Sequence, residues 1–122
     1  MTIEEFIREI KPILKQKGYR KSGSYWYLEY KDVILCFNVQ GSQWDTRNYY
    51  INIGAALNQH DKRNPTLLHW LWQHRCPGIN VSVQDALDEA DRYFTEFIDT
   101  GDFGIFCRKH GAIGLMTGQY LL

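Results

Sequence analysis

The chain of 122 residues has few cysteines and no long apolar run. Its three cysteines, Cys36, Cys76 and Cys107, are odd in number and too scattered for a disulfide framework. No apolar stretch approaches the length that spans a membrane. The N-terminal segment MTIEEFIREIKP is charged from its fourth residue, so it lacks the apolar core of a signal peptide. These absences lead us to expect a protein of the reducing cytoplasm.

The chain also has no excess of charge of either sign, since 14 Lys and Arg balance 14 Asp and Glu. A nucleic-acid-binding protein usually carries a basic excess, and the neutral balance argues against that class. The charge is nonetheless uneven, because residues 82–101 carry six acidic side chains and one basic side chain, a net of −5. A solvated helix face explains this segment, and an acidic docking surface for a basic protein is the alternative.

The composition indicates a folded domain. Hydrophobic residues make up 44% of the chain and aromatic residues 15%, which is too apolar for a disordered protein. A chain of this length can bury roughly two-thirds of the surface that its unfolded state exposes. The chain contains no repeat, linker or low-complexity stretch, and residues 1–122 are therefore expected to form a single α+β domain.

Residues 33–57 give the clearest prediction of strands. Two apolar runs, VILCFNVQ and NYYINIGAAL, are joined by the turn GSQWDTR. The period of two in a strand makes one face of this pair apolar: Val33, Leu35, Phe37, Val39, Tyr49, Ile51, Ile53, Ala55 and Leu57. The preceding segment YRKSGSYWYLEYKD predicts two more short strands with a tight turn at Lys31 and Asp32. The sheet is expected to be an antiparallel meander of four or five strands.

A capping box formed by Thr2 and Glu5 marks the start of the first helix. Apolar residues follow at helical spacing, and the helix is expected to run from about residue 3 to residue 17, with Gly18 as its stop. Pro12 interrupts this pattern because proline removes a backbone donor within a helix. We therefore expect a kink or a restart there.

A second capping box, at Ser82 and Asp85, begins the second helix, which Gly101 ends. Its apolar stripe consists of Val83, Ala86, Leu87, Ala90, Phe94, Phe97 and Ile98. Both helices are expected to pack on the apolar face of the sheet. Periodicity leaves residues 67–75 open between helix and strand. The glycine-rich tail is expected to form short irregular segments around Phe103, Ile105, Phe106 and Leu115.

Polar side chains collect on the other face of the two central strands: Asn38, Gln40, Ser42, Tyr50 and Asn52. Amides bind and orient partners but do not titrate, so they cannot act as general acid or base. The chain has no phosphate-binding glycine loop and no zinc-protease motif. We therefore expect no catalysis and no cofactor.

Four residues are weak candidates for a metal site: His74, Cys76, Cys107 and His110. The pair formed by Cys107 and His110 has the spacing of half a zinc knuckle. The gap between His74 and Cys76 is too short for the usual pattern, and a buried thiol is ordinary in an apolar run. We therefore expect no metal. A core cysteine is likewise the better interpretation than a nucleophile, since no local signature surrounds any of the three.

Three short motifs resemble a bacterial family known only as a domain of unknown function, family 4304. They are GYRK at residues 18–21, NVQGS at residues 38–42 and YINIG at residues 50–54. The resemblance implies an N-terminal helix followed by a sheet, and it covers residues 3–57 best. The family's recurring positions fall here on Gln40, Ser42, Asn52 and Gly54. A structural role is the simpler interpretation of each, because Gln40 and Ser42 can cap the hairpin and Gly54 can permit a bulge or a close helix.

The resemblance also implies a function, because small cytoplasmic proteins of this kind resemble the immunity partners of bacterial toxins. We therefore expect a cytoplasmic protein that binds and neutralises a cognate toxin, with no membrane or nucleic acid as partner. A nuclease is one candidate class for this toxin. The expected binding surface is the acidic stripe with aromatic anchors: Asp85, Asp88, Glu89, Glu96, Asp99, Trp44 and Tyr49. The alternative is an enzyme or small-molecule binder that uses the polar sheet face around Gln40 and Asn52.

Overall fold

A five-stranded antiparallel meander with strand order β1-β2-β3-β4-β5 lies at the centre of the fold. The structure is a computed structural model, and it describes residues 1–41, 47–58, 63–76 and 79–110. The strands are β1 (Arg20–Ser22), β2 (Tyr25–Tyr30), β3 (Val33–Gly41), β4 (Tyr49–Leu57) and β5 (Trp72–Arg75). The helices are α1 (Ile3–Gln16), α2 (Val83–Thr100) and α3 (Phe103–His110). The expected α+β meander is confirmed, with five strands.

The register of β3 and β4 confirms the predicted alternation of faces. Pairing runs from Val33 opposite Leu57 to Gly41 opposite Tyr49. The apolar face of these strands forms one core with residues of α1 and α2, as the hydrophobic pattern predicts: Phe6, Ile10, Leu35, Phe37, Ile51, Ile53, Leu87, Phe94 and Phe97. Burial of a large apolar side chain contributes about 1.5–3 kcal/mol, so this core accounts for much of the stability.

Helix α1 begins at the predicted capping residue, since the Thr2 hydroxyl accepts from the Glu5 N–H at 3.2 Å. It ends before Gly18, whose φ of +94° favours glycine. Pro12 lies on the exposed side within the helix, which continues through it as one element. Of the two expected alternatives, the restart is therefore wrong, because a proline facing solvent removes one hydrogen bond without displacing any core contact. The kink stays a prediction.

Helix α2 also has its predicted ends. The Ser82 hydroxyl accepts from the Asp85 N–H at 3.1 Å, and Gly101 ends the helix in the left-handed conformation at φ +71°. Its apolar stripe is buried except for Ile98, which is 42% exposed and so lies outside the predicted core. Among the described residues, no helix combines the length and the apolarity needed to cross a bilayer.

Periodicity left residues 67–75 open between helix and strand, and the structure contains a short piece of each. Leu67–His69 forms one turn of 3-10 helix, and Trp72–Arg75 is strand β5. The tail differs from its prediction, because Phe103–His110 is the regular helix α3 rather than an irregular segment. Helix α3 buries three side chains against the core: Phe103, Phe106 and Cys107. Leu115 lies outside the described residues. Tertiary burial outweighs the poor helix propensity of this glycine-rich stretch.

The two faces of the sheet have different coverings. All three helices share the large core on one face. On the other face, hereafter the open face, a smaller apolar cluster joins Tyr27, Ile34, Cys36 and Ala56 to Trp70. The segment that carries Trp70 is fixed by Pro65, whose carbonyl accepts from the indole N–H at 3.2 Å and from the Tyr27 hydroxyl at 2.9 Å. The rest of the open face is polar.

Candidate functional site

Asn52 lies at the centre of the polar part of the open face and is fully buried. Its amide nitrogen donates to Asn38 Oδ1 at 3.0 Å and to Gln40 Oε1 at 3.1 Å. Its amide oxygen accepts from Gln73 Nε2 at 3.2 Å and from Arg75 Nε at 3.1 Å. An asparagine side chain has two donor and two acceptor positions, so Asn52 is fully satisfied within the protein.

Arg75 lies at the exposed edge of this network. Besides Asn52, its guanidinium donates to Gln40 Oε1 at 3.0 Å. The guanidinium carbon lies 4.5 Å from the centre of the Tyr50 ring, a cation–π distance. Two amide acceptors and one aromatic ring therefore fix the orientation of a charged side chain on the surface.

The predicted polar cluster is thus only partly assembled as expected. Asn38, Gln40 and Asn52 are joined by hydrogen bonds, and Tyr50 joins them through its contact with Arg75. Gln40 Oε1 accepts hydrogen bonds across the sheet from Asn52 and Arg75, and the predicted cap of the hairpin loop lies outside the described residues. Ser42 lies outside the described residues.

Gly54, the other family position, accommodates an indole. A Cβ atom at this position would lie 2.3 Å from Trp70 Cε3 and 2.4 Å from the carbonyl oxygen of Trp72. The expected close approach is therefore made by the Trp70 ring and by strand β5, while the helices lie on the opposite face.

An acidic groove lies where the chain enters α2, with a volume of about 540 Å³. It is lined by Ile79, Asn80, Val81, Ser82, Asp85, Asp88 and Glu89. Ile79 is 43% exposed, and Asp85 and Asp88 are also exposed. The groove therefore combines an apolar side chain with an unusual local density of negative charge.

Tyr49 and Asn80 fix the wall of this acidic groove. The Tyr49 N–H donates to Asn80 Oδ1 at 3.1 Å, and the Asn80 N–H donates to the Tyr49 carbonyl at 3.0 Å. The Tyr49 hydroxyl donates to the Val81 carbonyl at 3.2 Å, and its ring is fully buried. The expectation of Tyr49 as an exposed aromatic anchor is therefore corrected, because its ring fills the core. Trp44 lies outside the described residues.

The acidic stripe of α2 is divided into groups with different partners. Asp85, Asp88 and Glu89 share the groove, but Glu96 faces α3, where Lys109 Nζ and His110 contact it. The hydrogen bond from Lys109 is the largest cause that lowers the pKa of Glu96. Asp99 is exposed near the end of the helix, away from the groove.

The four metal candidates are not brought into one site. His74 Nε2 lies 2.9 Å from Glu89, and His110 Nε2 lies 2.8 Å from Glu96. Both imidazoles contact the Tyr93 ring, at centroid distances of 4.6 Å and 5.2 Å. Within the described ranges, no group of three or more His, Cys, Asp or Glu side chains could hold a metal ion.

The three cysteines are buried free thiols. Burial raises the pKa of Cys76 to about 12 and that of Cys107 to about 11. Burial also raises the pKa of Cys36 above its ordinary range. A thiol attacks as its thiolate, and these shifts reduce the thiolate fraction near neutral pH.

We expect iodoacetamide at pH 8 to leave all three thiols unmodified while the protein is folded. A thiol whose pKa is about 11 is ionised to roughly one part in a thousand at that pH. In denaturing guanidinium chloride, all three should react. Mass spectrometry of the intact chain counts the modified sites. Rapid single labelling of the folded protein would contradict the assignment of these cysteines to the core.

The sequence did not predict two groups of residues in the candidate sites, one in the polar network and one in the acidic groove. Gln73 and Arg75 belong to the polar network, and strand alternation places both on the open face once residues 72–75 are known to pair with β4. That signal was hidden because periodicity could not separate helix from strand there. Ile79 and Val81 were missed because the short loop before α2 carries no periodic pattern.

Comparison with known families gives a match that runs from α1 to β5. A family model described as a domain of unknown function (DUF4304) matches residues 10–74, which is more than half of the chain. The matched range contains Asn38, Gln40, Asn52 and Gly54, but it ends before the acidic groove. No curated protein and no solved structure matches the chain.

Proposed function

The chain belongs to the DUF4304 family, and from that premise we propose that it is a cytoplasmic immunity protein that binds and neutralises a cognate bacterial toxin. Binding is by protein–protein contact at the acidic groove. The contact residues are Ile79, Asp85 and Asp88, since the carboxylate of Glu89 already contacts His74 and Arg92.

The observation that carries the proposal is the composition of the acidic groove. Asp85 and Asp88 are exposed carboxylates beside the exposed Ile79, and strand β4 fixes the loop that carries this isoleucine. A protein interface commonly joins an apolar centre to a polar rim. A rigid surface of this kind loses little conformational entropy on binding.

The negative charge indicates the chemistry of the toxin. A nuclease holds phosphates with lysine and arginine, so the surface around its active site is basic. Asp85 and Asp88 complement such a surface, and electrostatic complementarity of this kind speeds association and selects the partner. Glu96 contributes less, since Lys109 and His110 already contact its carboxylate.

The alternative function, a small-molecule site over the polar sheet face, has less support. All hydrogen-bonding positions of Asn52 are occupied by Asn38, Gln40, Gln73 and Arg75. A buried amide that is fully satisfied by the protein has no position left for a ligand. The network is better explained as a device that fixes the pairing of β3, β4 and β5.

The test uses charge reversal in the groove with co-expression of the cognate toxin domain. The wild-type chain should protect cells and form a complex, whereas the double variant Asp85→Lys, Asp88→Lys should lose protection. At low salt its association rate should fall about tenfold or more, since steering forces become repulsive. The wild-type rate should decrease with added salt more steeply than the rate of the variant. Stopped-flow fluorescence measures both rates.

The double variant Asp91→Lys, Asp99→Lys is the matched control, because it makes the same charge change on exposed residues of α2 outside the groove. Its association rate should stay much closer to that of the wild type. Equal death of cells with and without the wild-type protein, together with no complex, would exclude the immunity function. Equal loss in this control and in Asp85→Lys, Asp88→Lys would show that binding depends on net charge and not on the acidic groove.

A further inference from the structure

We propose that the open face of the sheet docks an acidic segment of a second protein, with Arg75 as the residue that binds its carboxylate. Helix α2 packs on the opposite face of the sheet. The surface is therefore distinct from the acidic groove, and the proposal stands whether or not the protein binds a toxin.

Hydrogen bonds and an aromatic ring hold the Arg75 side chain in one orientation. Asn52 and Gln40 each accept one hydrogen bond from its guanidinium, and the Tyr50 ring lies beneath it. An arginine side chain is usually free to adopt many conformers, and fixing them costs free energy on binding. Here the fold has already fixed the group. Pre-positioned arginines of this kind are frequent at the centres of protein interfaces.

Arg75 has no compensating charge among the described residues. Three other cations of the described segments do pair with carboxylates: Arg20 with Glu29, Arg92 with Glu89 and Lys109 with Glu96. In contrast, the partners of Arg75 are neutral amides and a phenol ring, and no carboxylate of the described residues forms an ion pair with it. The guanidinium also retains N–H donors beyond the two that it uses.

The shape of the guanidinium indicates the ligand, because its planar fork of donors matches the two oxygens of a carboxylate. Arg75 lies on β5, the last strand of the meander, and its side chain extends over the open face to the exposed Gln40 of β3. An extended acidic segment on this face can place a carboxylate on Arg75 while its backbone bonds to side-chain amides. From this charge complementarity we infer that the ligand of Arg75 is a carboxylate of a protein segment.

The experiment titrates ¹⁵N-labelled protein with a blocked hexapeptide of alternating glutamate and threonine. The Arg75 Nε–Hε resonance should shift saturably, with a dissociation constant of about 1 mM or below. The same peptide with glutamine in place of glutamate should bind about tenfold more weakly, because a neutral amide replaces the carboxylate. Inorganic phosphate serves as a third probe and should bind more weakly than the glutamate peptide.

Variants locate the contact. Arg75→Gln should weaken binding of the glutamate peptide about tenfold, and Arg75→Lys, which keeps the charge but not the fork, should weaken it about threefold. Arg8→Gln makes the same charge change on the exposed side of α1 and should bind as the wild type does. Thermal unfolding checks that each variant is folded, and Arg75→Lys remains informative if Arg75→Gln is not.

Three results would overturn the proposal. The first is no saturable shift of the Arg75 resonance with the glutamate peptide. The second is equal affinity of Arg75→Gln and Arg8→Gln for that peptide, which would leave Arg75 with a structural role alone. The third is tighter binding of phosphate than of peptide, which would assign the surface to a small anion and not to a protein.

Discussion

Replacing Gly54 by alanine is expected to lower the free energy of unfolding by about 3 kcal/mol or more, a large fraction of the stability of a small domain. The added Cβ would lie 2.4 Å from the Trp72 carbonyl oxygen and 2.3 Å from Trp70 Cε3. The carbonyl belongs to the backbone of β5, so it cannot rotate away as the end of a flexible side chain can. Strand β5 must move, and the Trp70 indole must leave its hydrogen bond to Pro65.

Urea unfolding followed by tryptophan fluorescence measures this effect, and Gly41→Ala is its control. Gly41 lies in the same sheet, and among the described residues a Cβ there would meet Ile3 Cδ1, at the ordinary contact distance of 3.8 Å. Its stability should stay within about 0.5 kcal/mol of the wild type. Similar stabilities for the two variants would show that the packing of Trp70 on Gly54 does not hold β5 in place.

The central strands could be predicted because two independent signals agree there. A run of apolar residues alternates with period two, and the same residues are bounded by turn-forming segments. Helices α1 and α2 could also be predicted from the sequence, since a capping box and a glycine stop flank each apolar stripe. In these elements, local preference and tertiary packing favour the same structure, which is typical of natural sequences.

Helix α3 could not be predicted because its local preferences oppose its structure. The segment has glycines on both sides and in its first turn, and eight residues are too few for a stable isolated helix. What stabilises α3 is contact with the rest of the molecule: Phe106 packs on Trp72 at 5.0 Å, and Lys109 and His110 contact Glu96. These contacts join residues far apart in sequence, and a pattern within one segment does not reveal them.

The candidate sites show the same division. Strand alternation alone predicts that Asn38, Gln40 and Asn52 share one face. It does not predict that two of these amides orient a charged side chain, Arg75. Whether Arg75 faces the sheet depends on residues 72–75 forming a strand, which required the pairing with β4. The acidic residues of α2 were visible as a charge pattern. Which of them contact basic side chains depends on α3 and β5, since Glu96 contacts Lys109 of α3 and Glu89 contacts His74 of β5.

Replacing Asn52 by leucine is expected to lower the free energy of unfolding by about 2–4 kcal/mol. Leucine has a similar size but removes two donors and two acceptors from a fully buried position. Asn38, itself only 2% exposed, would keep a buried amide oxygen without its donor. Gln40, Gln73 and Arg75 are more exposed and can turn to water, so most of the cost arises at Asn38.

Asn58→Leu is the matched control, because Asn58 is an exposed asparagine whose amide donates to the Lys31 carbonyl at a long 3.4 Å. Its stability should change by less than about 0.5 kcal/mol. Urea unfolding measures both variants, and the side-chain N–H resonances of Asn38 and Gln40 should shift in Asn52→Leu alone. If Asn52→Leu is as stable as the wild type, the amide network is not needed for the fold. A ligand-binding role would then be the better explanation of these residues. That result would favour the small-molecule alternative, although all hydrogen-bonding positions of Asn52 are occupied in the structure.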